Sequence, residues 1–363
     1  MRVAIAAAGV VAAFGAPVWG QQGASPIDED AAYILFHEIV QVASPGRARD
    51  VSFVNTGLNI VMPAELVWIA DPGSPGIIAV ASRPIKDTAK AGEVLGSRGL
   101  QVIRGTAALH VGDNITCAVS ESGRLTVVGG VFVDSLEVGG SIASAVDVDV
   151  SPSGLIYVLW GDRVTVYSNP PDEPLWSFML EADVLPAVGL AVTAAADVVV
   201  AGRGEQAVAV YGLDAEGRYR RRRAQSAADL ELETVSGVSL SPFMLLPVQG
   251  REGWVERDRF VFLADATSGA LLAVERTTLQ AVGRCDVRDE LPGASPGRLD
   301  LSNRGQIAYV DVGSGEAYVL PTRVTVAMVE SAEFRWRILD ASRTNRIQGG
   351  SGDTLQAQEG SER

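Results

Sequence analysis

Val148-Asp149-Val150-Ser151-Pro152-Ser153-Gly154-Leu155-Ile156-Tyr157-Val158 returns later in the chain as Leu299-Asp300-Leu301-Ser302-Asn303-Arg304-Gly305-Gln306-Ile307-Ala308-Tyr309. Looser copies run from Ala118 to Val127, from Ala191 to Val200 and from Val238 to Pro242. Each reads as alternation of period two, Ser/Pro/Gly punctuation, then alternation again: strand, tight turn, strand. The alignment predicts that Gly154 and Gly305 occupy equivalent turns. A fixed unit repeated along a chain implies a radial or linear repeat fold.

A second phrase narrows the choice. Ala70-Asp71-Pro72-Gly73-Ser74-Pro75-Gly76-Ile77 corresponds to Ala264-Asp265-Ala266-Thr267-Ser268-Gly269-Ala270-Leu271 and to Val310-Asp311-Val312-Gly313-Ser314-Gly315-Glu316-Ala317. In each, an apolar strand ends at Asp, a Gly/Ser turn reverses the chain and an aliphatic strand follows. Joining the two phrases gives three strands and then a more polar fourth, such as Leu175 to Glu181 or Val324 to Val329. The reading is an all-β fold, a β-propeller of six four-stranded blades. The units centre on residues 51–80, 117–138, 146–167, 188–211, 238–274 and 299–320, and Gln249 to Asp258 form an insertion in the fifth.

Phrases such as Gly154-Leu155-Ile156-Tyr157-Val158 and Phe262-Leu263-Ala264-Asp265-Ala266-Thr267-Ser268-Gly269 resemble the NHL- and YVTN-type propeller repeats over roughly residues 50 to 322. The chain departs from that pattern in its middle units, where Trp160 and Gly202 replace the Asp after the inner strand. The resemblance implies a fold and leaves function open, because propellers host scaffolds, lyases and lactonases alike.

The ends set the address and the closure. Met1-Arg2, the apolar run Val3 to Val18 and the compact Val18-Trp19-Gly20 lay out a secretory signal peptide over residues 1–20, with the mature chain starting near Gln21. A secreted or periplasmic protein is expected, with no integral membrane segment after cleavage. A single propeller domain is expected over 21–340 and a disordered polar tail over 341–363. Tyr33 to Val42, or the strand that follows Asp50, is expected to complete a blade with C-terminal strands between Val324 and Leu339, removing both sheet edges.

Composition bounds the partners. Of 363 residues, 47% are hydrophobic, and 30 Lys+Arg face 44 Asp+Glu for a formal net charge of -14. Such a surface repels phosphate backbones, so nucleic acid is a poor partner. A monomer recognising protein or glycan is expected. Cys117 and Cys285 fall in non-adjacent units and are expected to be two buried, inert thiols.

Chemistry is sparse. His37 and His110 sit in unrelated segments, too few for a mononuclear zinc centre, and no cofactor is implied. No Ser-x-x-Lys, Gly-x-Ser-x-Gly or Walker-type segment is present. The candidate ligand-binding residues are carboxylates. Asp71, Asp265 and Asp311 end equivalent strands and would either hold Ca²⁺ together or cap their own turns. Asp147 and Asp149 share one side of a strand, and Asp149 with Asp300 would make an acidic channel or a solvated face. Arg218-Tyr219-Arg220-Arg221-Arg222-Arg223 is read as the outermost strand of its blade, protected by charge, with docking of an anionic partner as the rival. The expected function is an exported, non-enzymatic recognition or scaffold module; the alternative is a Ca-dependent, lactonase-like hydrolase or lyase using channel carboxylates.

Overall fold

A computed structural model describes residues 40–42, 48–53, 66–70, 77–81, 94–98, 106–111, 115–120, 122–129, 132–137, 145–241, 245–248, 251–254, 258–289, 291–302, 306–320 and 335–336. The expectations on residues 1–20, on the tail 341–363, on His37, Asp71 and Gly305, and on a strand from Val324 to Val329 lie outside the described residues.

After a short strand β1 (Val40–Val42), the chain folds as successive antiparallel meanders. The first holds β2 (Asp50–Phe53), β3 (Leu66–Ala70), β4 (Ile77–Ala81) and β5 (Val94–Arg98). The second holds β6 (Thr106–Val111), β7 (Ile115–Ser120), β8 (Arg124–Gly129) and β9 (Phe132–Glu137), and the third β10 (Asp147–Val150), β11 (Ile156–Leu159), β12 (Arg163–Tyr167) and β13 (Trp176–Met179). The fourth runs through β14 (Ala187–Val192), β15 (Val198–Gly202), β16 (Gln206–Leu213) and β17 (Tyr219–Ser226). In the fifth, β18 (Val235–Leu240) is followed by a separate hairpin, β19 (Leu245–Val248) and β20 (Arg251–Trp254), before β21 (Phe260–Asp265), β22 (Ala270–Glu275) and β23 (Ala281–Asp286). The sixth holds β24 (Pro296–Leu301), β25 (Ile307–Asp311) and β26 (Ala317–Val319), and β27 (Arg335–Trp336) lies parallel to β23 as a fifth strand of the fifth sheet.

The first strand of each meander packs against the first strand of the next: β2 on β6, β6 on β10, β10 on β14, β14 on β18, β18 on β24, and β24 back on β2. The sheets therefore stand radially around one axis, as blades of a propeller. The fifth-unit insertion expected from Gln249 to Asp258 contributes β20.

Closure uses the expected N-terminal segment with a different partner. Val40 to Val42 pair antiparallel with Val319 to Ala317, so β1 is the fourth strand of the sixth blade. The strand after Asp50 is instead the innermost strand of the first blade. Joining β1, which precedes the first blade, to β26 of the last in one sheet locks the ring.

Blades pack face to face, so the apolar clusters lie in the seams. Tyr157, Val164, Leu190 and Val200 fill the seam between the third and fourth blades, and Phe262, Leu271, Leu301 and Tyr309 fill the one between the fifth and sixth. The middle of a blade is consequently dry on both faces. Strands β11, β15, β21 and β25 are buried at every position, and the alternation expected of a half-exposed sheet is lost there.

The repeated turn between the first and second strands has one mechanism. The hydroxyl of Ser120, Ser151, Thr193 and Ser302 accepts the amide of Arg124, Leu155, Asp197 and Gln306, four residues on, at 3.0–3.1 Å. Ser241 accepts the amide of Phe260 at 3.0 Å across the whole insertion, so the turn survives a long excursion of the chain. Its third residue carries positive φ, +84° at Gly123 and Gly154 and +63° at Ala196. An L side chain there costs about 1–2 kcal/mol, and nothing lies within 4 Å of a Cβ placed on Gly154, so backbone strain alone decides. Gly154→Ala should therefore destabilise by about 1 kcal/mol. Ala196→Gly should leave stability unchanged or raise it, as read from chemical-denaturation midpoints.

Candidate functional site

The innermost strands leave one edge facing the axis, and period two sends alternate side chains into it. Two tiers follow from the register. One holds Asp50, Ala108, Asp147, Gly189, Gly237 and Arg298; the other holds Ser52, His110, Asp149, Ala191, Ser239 and Asp300. Between them lies a polar cavity of about 100 Å³ whose walls include Asp50, Asp147, Asp149, Asp258, Arg298 and Asp300.

Each channel carboxylate on these strands makes the same two bonds. Its first oxygen accepts the next amide of its own strand: Val51 for Asp50, Val148 for Asp147, Val150 for Asp149 and Leu301 for Asp300, at 2.8–2.9 Å. Its second oxygen accepts an amide of the following blade: Leu109 for Asp50, Leu190 for Asp147, Val192 for Asp149 and Phe53 for Asp300, at 2.6–2.8 Å. The aspartates thus staple one blade to the next. Asp300 also accepts the hydroxyls of Ser52 and Ser239, at 3.3 and 3.0 Å, joining three blades. Where the innermost strand of the fifth blade, β18, offers no Asp, Ser236 donates to Pro296 O at 2.6 Å. Gly237 there lets the strands close: a Cβ would stand 2.3 Å from Gly297 O.

One cation answers this negative ring. Arg298, on the sixth blade, crosses the axis to the third, where its Nη1 lies 2.6 Å from Asp147 Oδ1 and its Nη2 donates to Val146 O. Burial pushes Asp50 up to about 7, with Asp147 adding to the rise and Arg298 and two amides opposing it. Burial also raises Asp147 against the pull of Arg298. Burial alone would lower Arg298, but Asp147 and Asp50 hold it above its usual range. In the other tier, His110 Nδ1 lies 2.6 Å from Asp149 Oδ1.

Asp149 and Asp300, the two channel candidates, line the same cavity. Asp265 and Asp311 lie at the far ends of their strands, engaged with turns. Asp265 accepts the amides of Glu233, Thr234, Thr267 and Ser268, and Asp311 those of Ser295 and Ser314. Burial opposes the ionisation of Asp265, but these amides outweigh it and hold the carboxyl below its usual range.

Sequence reasoning passed over Asp50, Arg298 and Asp258. Asp50-Val51 carries the signal of Asp149-Val150, an Asp before an aliphatic residue at the start of a unit, and was findable. Asp258 was not: it stands at the end of the insertion with φ +62°, in the place Gly154 takes, and accepts the amide of Ala194 in the fourth blade.

The chain is similar to the β-propeller domain of Cps50 (Swd1) from Myceliophteria thermophila, with a TM-score of 0.48 and 11% identity over 75% of this chain and 82% of that one. The likeness is one of fold. No family model matches the chain, and no curated protein matches it.

Both cysteines are buried, Cys117 in the second blade and Cys285 in the fifth, and neither is in a disulfide. Burial, reinforced by Asp149, pushes the Cys117 thiol up, away from the reactive thiolate.

Asp300 is pushed up to about 6, chiefly by burial, so the folded chain holds its proton more tightly than the unfolded one. Its contribution to stability is full below about pH 4, the unfolded carboxylate's pKa, and is lost as pH rises through about 6. The melting temperature of the wild type minus that of Asp300→Asn should accordingly fall between pH 4 and 7. A difference that is flat or rises with pH contradicts the assignment.

Proposed function

We propose that this chain is an exported propeller, with units of the NHL or YVTN kind, that acts as a non-enzymatic recognition or scaffold module for protein or glycan. The supporting observation is how the channel carboxylates are spent. In Asp50, Asp147, Asp149 and Asp300, both oxygens accept backbone amides, four of the eight amides belonging to a neighbouring blade. A calcium ligand set or a general base needs an oxygen that can turn toward ion or substrate, and turning one of these would strand a buried amide. Export rests on the character of residues 1–20, and the acidic balance of the chain favours partners that are not polyanions.

The rival, a Ca-dependent hydrolase or lyase of the channel, is tested by mass action. An ion held only by the folded chain raises its stability with the logarithm of ion concentration. Melting curves in millimolar CaCl₂ and in EDTA at matched ionic strength should coincide. A melting temperature that climbs with calcium, and falls back when Asp149→Asn is introduced, would replace the proposal with the hydrolase reading.

A further inference from the structure

The outer rim of a propeller is a set of sheet edges, and an uncovered edge invites another strand. Three outermost strands have described side chains, and they are treated differently. β17 carries Arg220, Arg221, Arg222 and Arg223, with Arg221 bound to Asp183 at 2.6 Å. This is the outermost position expected for the arginine run. β23 is covered by β27, whose Arg335 and Trp336 run beside Arg284 and Cys285. β13 has neither device: Trp176-Ser177-Phe178-Met179 pairs with β12 on one side, no described strand lies along the other, and none of its residues is charged.

This edge is also apolar in the open. Leu175, Trp176 and Met179 are 45%, 44% and 60% exposed, three of the five large hydrophobic residues that stand exposed among the described residues. Phe178 is fixed in the seam, stacked on Tyr219 at 4.6 Å and tilted against Tyr211 at 5.4 Å, so the strand is rigidly seated from behind. Trp176, two residues away, lies on the same face of the strand and is 44% exposed. Just before the strand stand Asp172 and Glu173, both exposed and neither in an ion pair with a described residue.

We propose that β13 is a docking edge for an extended peptide in which aromatic or aliphatic residues alternate with Arg or Lys, added as a fifth strand of the third blade. The inference rests on the recognition reading above and names its partner class. Backbone pairing supplies affinity, Trp176 grips the apolar residues on its face of the sheet, Leu175 and Met179 on the opposite face pack along the aliphatic stems of the Arg or Lys residues, and Asp172 and Glu173 attract their charged ends. The fifth blade shows the same solution, since the strand laid on β23 is itself Arg-Trp within Phe334-Arg335-Trp336-Arg337-Ile338-Leu339. A second copy fits less well: antiparallel self-pairing centred on Ser177 would set Glu173 against Glu181 of the other copy, like charge on like charge.

The probe is a capped synthetic peptide of the sequence Phe334 to Leu339, titrated into the full mature chain and followed by calorimetry. Saturable binding that weakens with NaCl is expected. It should be abolished in Trp176→Lys/Met179→Lys and weakened about tenfold in Asp172→Lys/Glu173→Lys, whose substitutions lie in an exposed loop and spare the strand. Cooperative melting of both variants near the wild-type temperature shows that folding is intact. Absence of binding by the wild type overturns the inference. Binding unchanged in both variants overturns it as well, while leaving the recognition reading standing with another surface. Concentration-dependent dimers in sedimentation, lost in Trp176→Lys/Met179→Lys, would assign the edge to a second copy and overturn the peptide.

Discussion

Six sheets that meet at one axis each turn an edge toward it, and backbone amides at that edge have no neighbouring strand to bond. Buried amides left unpaired cost about 1–3 kcal/mol each, so the centre of the ring is where the fold is most exposed to failure. Asp50, Asp147, Asp149 and Asp300 answer this with two acceptor oxygens apiece, one for the home strand and one for the next blade. A neutral amide side chain has one acceptor oxygen and could not do both. The charge that makes the staple effective must then be held in a buried place. Arg298, reaching Asp147 across the axis, offsets part of that cost.

The same constraint acts at the rim with the opposite solution. Inner edges face inward and are closed by side chains of the ring itself, whereas outer edges face solvent and must be closed, charged or used. β1 closes the sixth blade by bringing the N-terminal segment to β26, β27 covers β23, and arginine guards β17. Against these, β13 stands out by what it lacks. Its exposed Trp176 and Met179 read as an edge kept for another strand.

The sequence showed its repeats because turn chemistry is local. Ser151 and Gly154 set a hydrogen bond four residues long and one positive φ, and both demands are written within a single phrase. Strand content was legible for the same reason, as was the position of the arginine run. The alternation expected throughout holds in the residue types of β2, β10 and β24, where polar side chains face the channel, but not in β14 or β18. It fails on β11, β15 and β21, because a blade packed on both faces has no solvent side to mark. Long-range partners left no trace. The bond from the Val192 amide to Asp149 and the pair His110 with Asp149 join segments whose spacing is fixed by blade length, not by a motif. Asp258 was hidden because an insertion separates it from Ser241, its partner in the turn.

The central claim is that the channel charges hold the ring together, and the coupling between Arg298 and Asp147 tests it most directly. A double-mutant cycle with Arg298→Met and Asp147→Asn, followed by denaturant unfolding of all four proteins, isolates the interaction across the axis. The account predicts that the double variant loses less stability than the two single losses summed, with a coupling energy above about 1 kcal/mol. Additive losses, agreeing within about 0.5 kcal/mol, would mean that Arg298 and Asp147 act independently and that the channel charges do not bind opposite blades.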